Sequence, residues 1–521
     1  MKALLPARLP ALALGCYAAA FGLACAAFVR QPQLASFADD SVSYLIMAQV
    51  FSPWHAAAPA VMDAFRHEAF YPPLFPLLLA FANAANDVAR AHAAEAVLLA
   101  VCVPLAYALG SRWLGSRWSA AACAVLATLL PATWINAKPI LSEPLYCVGI
   151  LSTLCVLEMR HARLRLVWLS LALASLALTR TAGIALVLGF AAWTLVRRGE
   201  PRRQRWPELL PPALALLAYA AWVLLRPATA VDPNIGLLGS RLGELNVLRQ
   251  ASAMGEAWAG SFILYWVQGR PMTGLLAAAV GALALAGLVL RLRDGKADGW
   301  MMGAYLATFL AWPFDEQMGR FLFPALPVLL LYAFLGAGKC AATLRRPPAA
   351  GHALIGLLIA AIALPPLAFI YKRWQTKAPE AVIIDWYRTP DLDLARRRAQ
   401  THLELLADME AIEQRTEPAA KVAWVAPAYI ALLADRFAVR SPPAGLAPAE
   451  YRAALVASGA QYVFVSAFHP RDTVSEAAWL TGVAALYGHA PLVSLRTESH
   501  GNRVTSMLFK APGALSVAVR Q

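Results

Sequence analysis

Long apolar runs separated by polar connections dominate the first 371 residues of the chain. Eleven of these runs approach the roughly 20 residues of helix that cross the hydrocarbon core of a bilayer. Their apolar residues are continuous and do not alternate with polar ones, which favours helices over the strands of a barrel. The pattern predicts an all-α polytopic membrane domain at 1–371, with helices at approximately 11–29, 93–111, 118–136, 143–159, 166–180, 182–196, 208–226, 272–290, 300–313, 321–337 and 352–371.

The pattern changes after residue 371. The charged stretch DLDLARRRAQTHLELLADMEAIEQR predicts an amphipathic surface helix, and the β-rich runs VAWVA, YVFVS and VTSMLFK are separated by helical sequence. Residues 372–521 are therefore predicted to form a small extracytoplasmic α/β domain. Its glycines form no phosphate loop, and its sequence contains no evident catalytic triad.

Composition and charge agree with a membrane protein. Hydrophobic residues make up 60% of the 521 residues and charged residues only 15%, against about a quarter charged in soluble domains. Short connections on one side carry 18 Lys and Arg residues, whereas longer connections on the other carry 9, so the first set is predicted to face the cytoplasm. Eleven crossings then place the N-terminus in the cytoplasm and the C-terminal domain in the periplasm of a bacterial inner membrane.

Neither the net charge nor the cysteines indicate a nucleic-acid interface, a disulfide scaffold or a zinc site. The net charge of +14 is explained largely by the cytoplasmic anchors, so nucleic acid is not an expected partner. The seven cysteines lie in or at the ends of predicted helices, where they fit as small buried apolar residues. Their spacing resembles neither a disulfide scaffold nor a zinc site.

Ionisable residues at the outward ends of apolar helices are the candidates for function, because charge at membrane depth is costly and usually retained for a purpose. Four outward segments carry such residues. They are FADDSVSYLIMAQ with Asp39 and Asp40, HEAFYPPLFPLLLAFA with His67, Glu68 and Tyr71, NAKPILSEPLY with Lys138 and Glu143, and WPFDEQMGRFLFPALP with Asp315, Glu316 and Arg320.

Each segment also has a structural interpretation. Asp40 is placed to cap the helix predicted by SVSYLIMAQV, and adjacent carboxylates equally suit a catalytic base with a helper. Ser142 and Glu143 suit the start of the fourth helix as a cap and a favourable charge. The Pro-Pro pair after Tyr71 suits entry into an interfacial helix.

Arg320 opposes the charge bias at the entrance of a helix, which favours an anionic ligand there. The local alternative is an ion pair with Asp315 or Glu316 that only fixes the turn.

Together these segments resemble the GT-C membrane glycosyltransferases. The resemblance is carried by the acidic pair after the first helix, the Pro-Pro-Leu segment with an aromatic neighbour, SEPLY, LALTRTAGIAL and RFLFPALP. The branch of the protein O-mannosyltransferases and the lipid A aminoarabinose transferases is the most similar. The likeness covers about residues 10–340 and adds the trailing outward α/β domain.

The resemblance implies a role for each matching residue. Asp39 would be the base that acts on the acceptor hydroxyl, with Asp40 beside it, and Glu143 would orient the acceptor or the base. Arg320 would hold the donor phosphate, and Arg180, in LALTRTAG, falls where relatives often carry Lys.

The sequence departs from the aminoarabinose branch at Tyr71, where that branch has Lys before its Pro-Pro pair. Lys138, Arg66 and His67 then become candidates for this phosphate contact. His67, Glu68 and Tyr71 are assigned to substrate binding.

The implied reaction moves a sugar from a polyprenyl phosphate-linked donor to a hydroxyl of a lipid, glycan or protein acceptor, by an inverting single displacement at the outer face. No cofactor is required, although the Asp39–Asp40 pair leaves room for a divalent cation. The alternative class is a transporter or flippase of a lipid-linked sugar or solute. Transporters tend to place ionisable residues near the midplane and to show repeats with broken helices, and the sequence displays neither pattern.

Overall fold

The structure is a computed structural model that describes residues 5–29, 31–35, 39–197, 206–230, 243, 246–264, 271–312, 314–467, 476–494 and 504–512. Every predicted apolar run is helical. The corresponding helices are α1 (Leu5–Val29), α5 (Val88–Trp113), α6 (Arg117–Leu129) with α7 (Pro131–Asn136), α8 (Glu143–Leu157), α9 (Ala162–Thr179), α10 (Gly183–Val196), α11 (Leu210–Leu225), α13 (Pro271–Arg293), α14 (Ala297–Leu310), α15 (Met318–Leu322) with α16 (Leu326–Thr343), and α17 (Pro348–Gln375).

Seven described helical segments are long and apolar enough to cross a membrane, and three shorter apolar helices accompany them. The predicted all-α membrane architecture is therefore confirmed. One predicted helix, 118–136, is broken into α6 and α7 at Pro131, because proline has no N–H to continue the helical ladder and instead occupies the first turn of α7.

The first long connection holds three short helices: α2 (Asp39–Phe51), α3 (Pro59–Glu68) and α4 (Leu74–Phe81). The capping role considered for Asp40 is wrong, since α2 begins at Asp39 and Asp40 is its second residue. Another helix, α12 (Val247–Ile263), lies in a stretch that the apolar pattern left unassigned. Its apolar face is interrupted by polar residues, so it does not appear as a membrane-length run.

The centre of the helical bundle is α16, which is largely buried. It packs closely against α13 at two glycines, Gly287 and Gly336. A Cβ atom at either glycine would collide with a backbone carbonyl of the facing helix, that of Tyr332 or of Leu283. Small residues permit this backbone approach, as is common between membrane helices.

The C-terminal part is α/β, as predicted. After α18 (Asp385–Arg388) and the amphipathic α19 (Leu392–Arg415), it contains β1 (Lys421–Trp424), α20 (Pro427–Leu433), β2 (Phe437–Arg440), α21 (Pro448–Ala457), β3 (Tyr462–Ser466), α22 (Glu476–Ala485), β4 (Val493–Ser494) and β5 (Ser506–Lys510). The strand order is β2-β1-β3-β5-β4. β1 runs parallel to β2 and β3, whereas β5 is antiparallel to both of its neighbours.

Candidate active site

Four charged side chains from distant parts of the chain meet at one place. Asp40 comes from the start of α2, Glu143 is the first residue of α8, Arg180 ends α9, and Arg320 lies in α15. We call these four residues the charged cluster. Two carboxylates and two guanidinium groups make it formally neutral.

Arg320 joins the two acids of the charged cluster. Its Nη2 lies 2.5 Å from Oδ2 of Asp40, and its Nε donates a hydrogen bond to Oε1 of Glu143. The same Glu143 oxygen lies 2.6 Å from Nη1 of Arg180. The Glu143 side chain is fully buried, whereas those of Arg320 and Asp40 are each 21% exposed, so the cluster is open to its surroundings where Arg320 meets Asp40.

Neutral groups extend the charged cluster. The Tyr71 hydroxyl donates a hydrogen bond to Oδ1 of Asp40. Ser142 Oγ accepts from Nη1 of Arg180 at 3.1 Å and lies 2.9 Å from the Tyr44 hydroxyl. The resulting network therefore ties α2 to the starts and ends of the membrane helices.

Local structure explains why these side chains converge. Asp40 and Tyr44 are four residues apart on α2 and so share one face of that helix. Glu143 stands at the N-terminus of α8, where the helix dipole favours a negative charge. Ser142 precedes it but makes no capping bond, because its hydroxyl is directed to Tyr44 and Arg180.

The charge state of Asp40 follows from its neighbours. Burial alone would raise its pKa, but the Arg320 guanidinium and the Tyr71 hydroxyl outweigh burial and hold the pKa below the usual value for aspartate. Asp40 is therefore a carboxylate at neutral pH. Glu143 offers a further acceptor, since its buried Oε2 has no hydrogen-bond partner among the described residues.

The predicted residues of the first connection have different environments. Tyr71 contacts the charged cluster through Asp40, whereas Glu68 accepts a hydrogen bond from Ser43 Oγ at 2.5 Å. Burial raises the pKa of Glu68, although Ser43 opposes the shift. His67 is exposed on α3. The side chain of Asp39 lies outside the described residues, so its position is known only as the first residue of α2.

Lys138 is directed away from the charged cluster. Its buried ammonium donates to the carbonyl oxygens of Phe28 at 2.9 Å and Ala381 at 3.2 Å, and it lies over the rings of Phe28 and Tyr387. Burial lowers the pKa of Lys138 to about 7. These contacts tie the end of α1 to the segment after α17.

We expect Lys138→Met to reduce thermal stability while leaving binding of the polyprenyl phosphate predicted from the sequence unchanged, because the substitution leaves two buried carbonyls unpaired. The wild-type amine binds fewer protons when folded than when unfolded between about pH 7 and its ordinary pKa of 10.5, so stability should rise with pH across that window. Lys138→Met should not show this increase of stability with pH. Weakened phosphate binding without a change in melting temperature would instead support the phosphate role suggested by the sequence.

The sequence left open a local ion pair between Arg320 and Asp315. The structure instead pairs Asp315 with Arg249. That carboxylate lies 2.5 Å from Nη2 of Arg249, while Arg320 reaches Asp40 and Glu143. The side chain of Glu316 lies outside the described residues.

Sequence reasoning missed Tyr44 as part of the site. The signal that would have found it is its spacing from Asp40, which is one helical turn. Among the described residues, no group of three or more His, Cys, Asp or Glu side chains is arranged to hold a metal ion.

In fold, the helical bundle and the adjoining α/β domain are similar to solved structures of ArnT, which agrees with the predicted GT-C fold. The chain is similar to ArnT from Cupriavidus metallidurans in the apo state, with a TM-score of 0.57 and 14% identity over 97% of this chain and 99% of that one. ArnT bound to undecaprenyl phosphate gives a TM-score of 0.54 at 14% identity, over 96% and 98% of the two chains.

The archaeal oligosaccharyltransferase AglB from Archaeoglobus fulgidus, solved with an inhibitory peptide and a dolichol-phosphate, is also similar. Its TM-score is 0.51 at 12% identity, over 87% of this chain and 69% of that one. No protein-family model and no curated protein sequence matches the chain.

Proposed function

We propose that this chain is a glycosyltransferase that moves a sugar from a polyprenyl phosphate-linked donor to the hydroxyl of an acceptor. The observation that carries the proposal is the charged cluster, which gathers two guanidinium groups and two carboxylates in a GT-C fold. Such a set supplies both requirements of the reaction: cations for a leaving phosphate and a carboxylate for the acceptor proton.

Arg320 is the proposed ligand of the donor phosphate. Arg180, which pairs with the same Glu143 oxygen, is the second proposed ligand. A planar guanidinium can bind two phosphate oxygens at once. ArnT of Cupriavidus metallidurans, which has the same fold, binds undecaprenyl phosphate, and this supports a polyprenyl phosphate as the lipid carrier. Arg320 is paired with Asp40. Donor phosphate would compete for that guanidinium and leave the Asp40 carboxylate more basic.

The proposed reaction is a single displacement. The acceptor oxygen attacks the anomeric carbon as its proton passes to Asp39, supported by Asp40, and the bond from that carbon to the phosphate oxygen breaks. Polyprenyl phosphate leaves with the bonding electron pair, and Arg320 stabilises the added negative charge. Glu143, whose Oε2 is free of protein partners among the described residues, orients the acceptor hydroxyl.

A binding experiment tests the lipid carrier without knowledge of the sugar. The protein in nanodiscs should bind undecaprenyl phosphate. When a bacterial membrane extract supplies acceptor hydroxyls, a panel of undecaprenyl phosphate-linked hexoses and pentoses should release free undecaprenyl phosphate with at least one donor. Equal binding by the wild type and an Arg180→Ala, Arg320→Ala double variant would contradict the proposed site. In sealed proteoliposomes, movement of the intact lipid-linked sugar across the bilayer, without release, would instead favour a flippase.

The proposed orientation places the N-terminus in the cytoplasm and the C-terminal domain in the periplasm of a bacterial inner membrane. Reporter tags after Glu200 and Gln521 are therefore expected to label opposite sides, because the cytoplasmic connections carry most of the Lys and Arg residues. A tag after Lys296 is the control and should report the same side as the tag after Glu200. A cytoplasmic signal at Gln521 would contradict both the orientation and the number of crossings.

A further inference from the structure

Three consecutive backbone carbonyls precede the acidic pair, and each is bound by a different part of the molecule. Gln33 O lies 3.4 Å from Nε2 of His92 in α5. Leu34 O lies 3.0 Å from Nε2 of His402 in α19, and Ala35 O accepts from the N–H of Ile384 at 2.8 Å. Two of the three donors therefore come from the chain beyond α17.

We propose that His402 is a positioning residue of the active site, which holds the backbone at Leu34, shortly before Asp39 and Asp40 in the chain, by its hydrogen bond to Leu34 O. This inference rests on the proposed glycosyltransferase function. It gives the C-terminal domain a specific role: the domain fixes the geometry of the catalytic acids and is part of the active site.

The environment of His402 suits a fixed hydrogen bond. The side chain is only 5% exposed, and Leu34 and Ala35 are each 2% exposed. Burial lowers the pKa of His402 to about 4, although the bond to Leu34 and the nearby Asp385 act in the opposite direction. At neutral pH the imidazole is therefore uncharged, and it can donate one N–H to the carbonyl without a buried charge.

The same domain also braces α2 directly. α20 packs against α2 and α3, and Val42 and Leu45 of α2 share an apolar core with Leu405 and Met409 of α19. These apolar contacts fix the distance between the domain and α2 but not the register of the backbone. Hydrogen bonds to individual carbonyls fix the register, and misplacement of a reacting group by about 1 Å can lower the rate roughly 100-fold.

A matched pair of variants tests the inference. His402→Gln retains an amide N–H donor, whereas His402→Met has a similar size and flexibility without any donor. We expect His402→Met to lower turnover about 100-fold and to accelerate amide exchange in the first turns of α2. His402→Gln should recover most of both. Affinity for undecaprenyl phosphate should stay within about twofold in both variants, because Arg180 and Arg320 lie on other helices.

Leu455→Ala is the control, since it loosens an apolar core of the C-terminal domain that contains no residue of α2 and leaves the bond to Leu34 O in place. It should lower the melting temperature yet leave turnover close to that of the wild type. Equal losses in His402→Gln and His402→Met, or an equal loss in Leu455→Ala, would overturn the positioning role. If the wild type itself consumed no donor, the proposed function would fail, while the exchange rates of α2 would still test the contact with His402.

Discussion

Arg320→Ala is expected to lower the affinity for undecaprenyl phosphate by about 10- to 100-fold, because a charge-assisted contact to phosphate contributes roughly 1.5–3 kcal/mol. Arg320→Lys should restore only part of this affinity, since an ammonium cannot bind two oxygens in the way that a planar guanidinium does. Titration of the purified protein with undecaprenyl phosphate would measure both variants.

Arg249→Ala is the matched control for Arg320. Its guanidinium pairs with Asp315 near the same turn but is exposed, so its loss should change phosphate affinity little. Melting temperatures are needed alongside, because removing Arg320 leaves Asp40 and Glu143 without a shared counter-ion. Unchanged affinity in a correctly folded Arg320→Ala protein would exclude the proposed phosphate contact and leave Arg180 as the leading candidate.

Asp39→Asn is expected to lower the rate of sugar transfer by about 100-fold or more, because an amide cannot take up the proton of the acceptor. It should change thermal stability little. Asp40→Asn should be milder in transfer but should lower the melting temperature, since it loses the ion pair with Arg320. A transfer assay and thermal melting of both proteins would separate the two roles. Full activity in Asp39→Asn would remove the proposed base.

Acidification provides a second measurement on Asp40. Its pKa is held below the ordinary value, so its ion pair stabilises the folded state at neutral pH, and this stabilisation is lost as pH falls through the folded-state pKa. The acid-side loss of stability should therefore be smaller in Asp40→Asn than in the wild type. Identical acid melting curves would show that the ion pair contributes nothing measurable.

The sequence predicted the membrane helices well because bilayer thickness imposes a minimum apolar length that is visible in any one segment. The convergence of Asp40, Glu143, Arg180 and Arg320 was anticipated only in part. The sequence predicts that these residues lie at the outward ends of helices. It does not predict which of them form ion pairs, because the pairs depend on how the helices pack. Lys138 shows that the position of a residue in the sequence does not predict the direction of its side chain. Its position suits a phosphate ligand, yet its side chain donates to the carbonyls of Phe28 and Ala381.

Contacts between distant segments were not predictable from local pattern. His402 and Leu34 are separated by 368 residues, and the charged stretch that contains His402 predicts a surface helix but no contact with Leu34. Two short helices of the first connection were predicted, α2 from SVSYLIMAQV and α4 from the Pro-Pro pair after Tyr71, but their burial was not. α2 and α4 are shorter than a membrane span, and their burial depends on α20 and the rest of the C-terminal domain.

The position of β2 has a consequence for the C-terminal domain as a separate molecule. β2 is an edge strand of the sheet, and α3 of the first connection packs against it. An uncovered edge strand presents unpaired backbone groups that can pair with another chain. Residues 372–521 produced alone would lose α3 and expose both that edge and the apolar face of α20, so the isolated fragment is expected to self-associate, whereas within the whole protein the first connection prevents aggregation through this edge.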